Sequence, residues 1–185
     1  KDSMHVTQDF LNIGLGVKMP VGKSGNYPVD LKNLYPGTGS WDGLFLANYT
    51  HRIGTRFSFQ GEASHTLKGA DQSSFRYGNS TQVSSVCIYN QKVNSSRFIS
   101  SLGLQQDWFA ASSYQGVQLT EKANNGYVGS VKASINLLTY NWLFSIQAQK
   151  SLFQELSQGA VQQKFVLGLS VHYLIKKKQH EKNKH

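Results

Sequence analysis

From Phe165 to Ile175 every second residue is large and apolar: Phe165, Leu167, Leu169, Val171, Tyr173 and Ile175. The intervening phase holds Gly168, Ser170 and His172. Side chains alternate across a strand with a period of two, so this pattern is a β-strand with one greasy face and one small or polar face. Segment 11–19 repeats it, with Leu11, Ile13, Leu15, Val17 and Met19 against Asn12, Gly14, Gly16 and Lys18. So do 127–138 (Val131, Ala133, Ile135, Leu137 against Ser130, Lys132, Ser134, Asn136) and 142–153 (Trp142, Phe144, Ile146, Ala148 against Ser145, Gln147, Gln149, Ser151). Weaker versions lie near 41–51, 56–67 and 97–108, and the poorest near 81–89, where serines occupy both phases. The expectation is an all-β chain of about eight antiparallel strands with no helix.

Alternation alone does not say which face meets water. A soluble barrel turns its apolar face inward; a transmembrane barrel turns it outward and encloses the polar one. Three features favour the second. The polar phase is rich in small uncharged residues (Gly14, Gly16, Ser101, Gly103, Ser130, Ser134, Gly168, Ser170), where a soluble outer face favours Lys and Glu. Several strands reach the ~9–11 residues that cross a bilayer at a tilt. Aromatic residues gather near strand ends, at Trp41, Tyr49, Trp108, Tyr127, Tyr140, Trp142 and Tyr173, as membrane-interface belts do.

The gaps between strands give an independent check. They run long (22–40), short (53–56), long (68–80), intermediate (90–97), long (109–126), very short (139–141) and moderate (154–161). Outer-membrane barrels alternate in this way, with short turns on one side of the membrane and long loops on the other. The expected fold is therefore an antiparallel up-and-down transmembrane β-barrel spanning 1–175 as a single domain. Its expected place is a bacterial outer membrane, with the lipid bilayer as partner.

Other signals are weaker. The chain of 185 residues carries +9, but five lysines and one glutamate in 176–185 supply +4 of it, and the rest is scattered without a basic stripe. That tail reads as a solvated disordered end, and no nucleic-acid partner is expected. The lone Cys87 excludes an intrachain disulfide. The chain opens on Lys1 with no apolar signal segment, which reads as a processed form or one with sequence upstream.

Gly16 to Ser24 ends like a phosphate-binding loop, but the glycine-rich loop needs four residues between its glycines and Gly16 and Gly22 enclose five. Ser64 and His65 are adjacent, so a strand points them to opposite faces; Ser170 and His172 share a face but have no assignable acid. No catalytic residue is expected. His180 and His185, with Glu181 between them, lack the fixed spacing of a metal site, and neither a metal nor a cofactor is expected. The polar phase carries the more telling residues, the lumen-facing candidates Lys18, Asp42, Glu62, Asp107, Lys132 and Asn136. In a narrow barrel such charges pair and plug the interior; in a wider one they line a path.

The run Asn12-Ile-Gly-Leu-Gly-Val-Lys-Met-Pro-Val-Gly22-Lys23 resembles the strand-to-loop pattern GlGlKlPtGk of the outer-membrane transporter-like barrels grouped with meta-pathway phenol degradation. Leu34-Tyr-Pro-Gly-Thr-Gly39-Ser-Trp41-Asp42 is similar to that family's return lqpGsGswD, and the strand–turn–strand from Trp41 to Thr66 also fits. Past residue 80 the likeness is to barrels in general. The resemblance implies passage of small, often hydrophobic molecules across the outer membrane. Members of the family are longer, with strands before this point, which implies a chain lacking its N-terminal strands. The expected function is passive transport of a small-molecule solute. The alternatives are a closed eight-stranded barrel with a structural or loop-binding role, and a soluble ligand-binding barrel. Nothing in the sequence sets the substrate or the oligomeric state.

Overall fold

Strands form where alternation is uninterrupted and end where backbone chemistry forbids a ladder. Proline has no N–H to donate, and β1 stops at Lys18, just before Pro20. Tight reversals fall on residues held at positive φ: Gly54 (69°), Asn94 (53°) and Tyr140 (50°). The structure, a computed structural model, describes residues 9–21, 39–119, 125–156 and 162–174. The tail 176–185, most of the first long loop, Ile175 and the Gly22–Ser24 end of the phosphate-loop-like run lie outside these.

Eleven strands are formed among the described residues: β1 (Asp9–Lys18), β2 (Asp42–Ile53), β3 (Phe57–Lys68), β4 (Phe75–Arg76), β5 (Ser80–Val93), β6 (Ser96–Phe109), β7 (Ser113–Tyr114), β8 (Val117–Gln118), β9 (Gly126–Thr139), β10 (Trp142–Leu156) and β11 (Phe165–Tyr173). No helix occurs among these residues. Eight strands make one antiparallel sheet in the order β1-β2-β3-β5-β6-β9-β10-β11, each beside its neighbour in the chain apart from the short strands. The up-and-down meander read from the periodicity is therefore the observed topology.

Closure is not. The expected barrel is an open sheet in this structure, with β1 and β11 as its two edges. Alternation fixes the two faces of each strand, and short connections set consecutive strands side by side. Closure needs in addition a particular tilt and stagger between the first strand and the last. β1 and β11 do not pair with each other, and nearly every residue of both edge strands is exposed.

Three further departures have local causes. The poorest candidate, near 81–89, is β5, 14 residues long and laddered to both β3 and β6. Its serines hide the alternation, and pairing on both sides overrides weak propensity. The intermediate gap near 90–97 is a turn at Asn94 and Ser95, because polar residues from Asn90 to Arg97 carry the hairpin to its tip. Finally, the long segments 68–80 and 109–126 are not plain loops. They contain β4, β7 and β8, which form a second, three-stranded sheet.

One irregularity keeps the faces in phase. A bulge between Ser151 and Phe153 inserts Leu152, so Phe153 stands opposite Gly129. Its ring lies over the place where a Cβ on Gly129 would project. Without the extra residue, the end of β10 would present its alternate side chains to the wrong face.

Glycines on this sheet differ in what they allow. A Cβ on Gly103 would lie 2.4 Å from the Ser85 carbonyl oxygen and 2.7 Å from Val86 Cγ2, whereas on Gly61 it would meet only Phe59 Cε1, at 3.9 Å. Gly103→Ala is expected to destabilise the fold by about 2 kcal/mol and Gly61→Ala by no more than ~0.5 kcal/mol. Urea-unfolding midpoints of the two variants, read by tryptophan fluorescence, check this; equal midpoints would contradict the close approach at Gly103.

Candidate functional site

Opposed residues in an antiparallel ladder point to the same side of the sheet, so the register sorts every side chain onto one of two faces. Starting from Lys18, one row crosses to Asp42 and Lys68. Three rows further along, Asn48 stands beside Glu62, then Ser84, Gln105, Ser130 and Ser151. Another row runs Gln60, Val86, Gly103, Lys132, Gln149 and Val166. All six lumen-facing candidates, Lys18, Asp42, Glu62, Asp107, Lys132 and Asn136, fall on this one polar face.

Exposure separates the two faces. Polar-face Ser130 and Gln105 keep 2% and 7% of their surface, while Leu15, Ile13 and Leu169 on the other face keep 77%, 75% and 73%. The exposed face continues through Phe45, Leu102, Leu104, Ile135, Phe144 and Ile146 across the whole sheet. Along β6 and β9 the polar face is the more sheltered and the apolar face the barer, the reverse of a water-soluble protein's order. Glu62 on β3 and Asn12, Ser170 and His172 on the edge strands are exposed.

The candidate charges do not act as one cluster. Lys18 Nζ lies 3.2 Å from the Asp42 carboxylate, and Lys68 Nζ, absent from the sequence reading, lies 3.8 Å from the same oxygen. Ser40 Oγ donates to the other Asp42 oxygen at 2.8 Å and the Gly69 N–H donates to it at 3.1 Å. The Asp42 side chain is fully buried within this set. It ties the starts and ends of three strands together at the end of the sheet that carries the long connections. Lys68 was hidden because its alternation phase shows only once the β2–β3 register is known.

Elsewhere on the face Asp107 accepts two hydrogen bonds from Gln105 Nε2, at 2.9 and 2.7 Å. Asn136 Nδ2 donates to Ser134 Oγ at 3.2 Å, and Ser134 shares a 2.8 Å bond with Ser101. Among the described residues, no ion pair joins Glu62, Asp107 or Lys132 to one another. The plugging pattern expected of a narrow barrel is thus absent from the middle of the face.

The aromatic candidates divide between the two ends of the sheet. Trp41, preceding β2, and Trp108, near the end of β6, stand at the long-connection end. Tyr140, Trp142 and Tyr173 stand at the short-turn end, where the Trp142 and Tyr173 rings are 4.9 Å apart. Each group has partners missed in sequence: Phe153 beside Tyr127 at 6.3 Å, and Phe57 beside Tyr89 at 4.9 Å. All five candidates are exposed.

Short turns at 54–56, 94–95 and 140–141 lie at one end, and the connections after β1, β3, β6 and β10 at the other. Two of the long connections are stitched together. Gln115 N–H donates to the Ser74 carbonyl at 3.0 Å, Ala110 N–H to that of Asn79 at 2.8 Å, and Gly78 N–H to Ser112 Oγ at 3.2 Å. The Asp71 carboxylate folds its own loop by accepting from the N–H groups of Ser73 and Phe75. Phe75 is buried and meets the Tyr77 ring edge-on at 4.9 Å. Burial first, and the Asp71 charge second, raise the Tyr77 phenol above its ordinary pKa.

Ser64 and His65 occupy opposite faces, His65 bonding Thr81 at 2.7 Å. His172 Nε2 approaches Ser170 Oγ at 3.2 Å on an exposed edge strand, and no bond from a carboxylate to His172 occurs among the described residues. His180, Glu181 and His185 lie outside those residues. No family model, curated protein or solved structure matches this chain.

Breaking a buried ion pair by removing one partner costs ~3–5 kcal/mol, and the half-exposed Lys18 reduces that here to about 2 kcal/mol. Asp42→Asn is expected to lose that much stability and Lys18→Gln less, since Lys68 stays to neutralise the carboxylate. Comparing their denaturation midpoints checks the order; a larger loss in Lys18→Gln would reverse it.

Proposed function

We propose that this chain forms wall of a β-barrel in a bacterial outer membrane, its polar face lining a path for passive movement of small solutes. The observation that carries this reading is the inverted polarity of the sheet. A soluble ligand-binding barrel would place Leu11, Ile13, Leu15, Leu102, Leu104, Ile146 and Leu169 inside; here they are exposed. A continuous apolar face of this extent drives aggregation in water and is stable against lipid.

The dimensions agree. The eight long strands have from 9 to 15 residues, against the ~9–11 that a tilted membrane strand requires. Aromatic groups at both ends suit the two headgroup layers, and the short-turn and long-connection ends match the two sides of an outer membrane. Edge strands of soluble sheets are usually protected by proline, bulges or mid-strand lysines. β1 and β11 carry none of these. Both edges suit a wall extended by further strands, in line with the longer barrels that the sequence resembles. A wider wall also leaves room for a solute, whereas eight closed strands enclose little beyond their own side chains.

Transport is then diffusion down a gradient, with Glu62, Asp107, Lys132 and Asn136 bordering the path and the Asp42 ion set bracing its mouth. A second reading, loop-mediated binding, is favoured by one specific observation, the stitched β4–β7–β8 platform.

Cys87 offers a direct test. It lies on the apolar face, exposed, opposite Phe59 and Leu102. In phospholipid vesicles it is expected to react with an uncharged aryl maleimide and to resist a charged, water-soluble one. A cysteine at Ser134, in a Cys87→Ala background, is expected to react with the charged reagent. Rapid modification of Cys87 by the charged reagent in vesicles would sink the membrane reading.

A further inference from the structure

Lys132 sits in a cavity of about 230 Å³ on the polar face. It stands in the middle of the sheet, on β9, with Gly103 on one side and Gln149 on the other. Among the described residues it has no carboxylate partner. Asp107 is engaged by Gln105. Glu62 is three strands away, about 14 Å along the sheet at ~4.8 Å per strand. Lys132 is half-buried, and an ammonium partly withdrawn from water gains from an anion placed beside it.

The groups around it are donors without charge. Ser101 and Ser134 share one hydrogen bond, 2.8 Å long, so one of the two hydroxyl protons is left over. Gln147 also lines the cavity, and its carboxamide lies where a side chain on Gly168 would project, 2.6 Å from Nε2 to that Cβ position. The absent side chains of Gly103 and Gly168 let Val86 and Gln147 lie close over the backbone at the edge of the cavity. Val86 and Val166, at the two flanks of the same row, add apolar walls.

We propose that this cavity binds a small organic monoanion, a carboxylate with a short apolar body. Its carboxylate pairs with Lys132 and accepts from Gln147 and from the free hydroxyl of the Ser101–Ser134 pair. Its apolar part rests on Val86 or Val166. A single cation with neutral donors suits one negative charge; a phosphate dianion would call for more. The proposal rests on the polar face being the lining of the solute path and names the class of solute that path would favour.

Benzoate binding to the full chain refolded in detergent tests the site without requiring conduction. Saturable binding is expected, weakened about tenfold or more in Lys132→Gln, as expected for loss of a hydrogen-bonded charge. Lys132→Arg is expected to retain it. Gln147→Glu, which supplies an internal carboxylate beside the ammonium, is expected to lose it as well, and far-UV circular dichroism confirms that each variant folds. Absence of saturable binding by the unaltered chain, or equal affinity in Lys132→Gln, would overturn the proposal. Should Lys132→Gln fail to fold, equal affinity in Gln147→Glu would do the same. Planar-bilayer conductance reports on the path separately: benzoate binding without conductance would end the transport reading and leave the site standing.

Discussion

The structure depends on a common register held across eight strands. Lys18 opposes Asp42, and Asp42 opposes Lys68; the same phase then runs through Gln82, Asp107 and Val128 to β10. A slip of one residue at any ladder would move that strand's apolar set to the opposite face. The bulge at Leu152 is the one place where the count changes in β10, and it returns Phe153 to the apolar side. The separation of faces, the position of the charges and the cavity at Lys132 all follow from this register.

Strand ends carry a second asymmetry. Short turns at positive-φ residues close one end, leaving the other to connections that make structure of their own. The buried Asp42, between two lysines and a serine, and the stitched pair of loops around Phe75 both lie at that end. Polar organisation is concentrated at the long-connection end and along the sheltered face. The opposite face holds the apolar residues that a lipid phase would accept.

Much of this was legible in the chain. Strong alternation located β1, β9, β10 and β11 to within a few residues, and the phase of each strand put Lys18, Asp42, Glu62, Asp107, Lys132 and Asn136 on one side. β5 was faint because its serines erase the contrast between faces, and its length reflects pairing with β3 and β6. The small sheet of β4, β7 and β8 had no signal, since two-residue strands are too short to show a period. Lys68 and Gln147 were missed as site residues because their importance comes from neighbours on other strands.

The sequence by itself determined the eight long strands, their face polarity and the alternation of short and long connections. These are local or periodic properties, set by side-chain chemistry along one strand. Only the tertiary structure decided that β1 and β11 stay apart as open edges, that Asp42 joins Lys18 to Lys68, and that no acid among the described residues pairs with Lys132. Those outcomes depend on stagger, tilt and distance between strands remote in the chain, which a period of two does not encode.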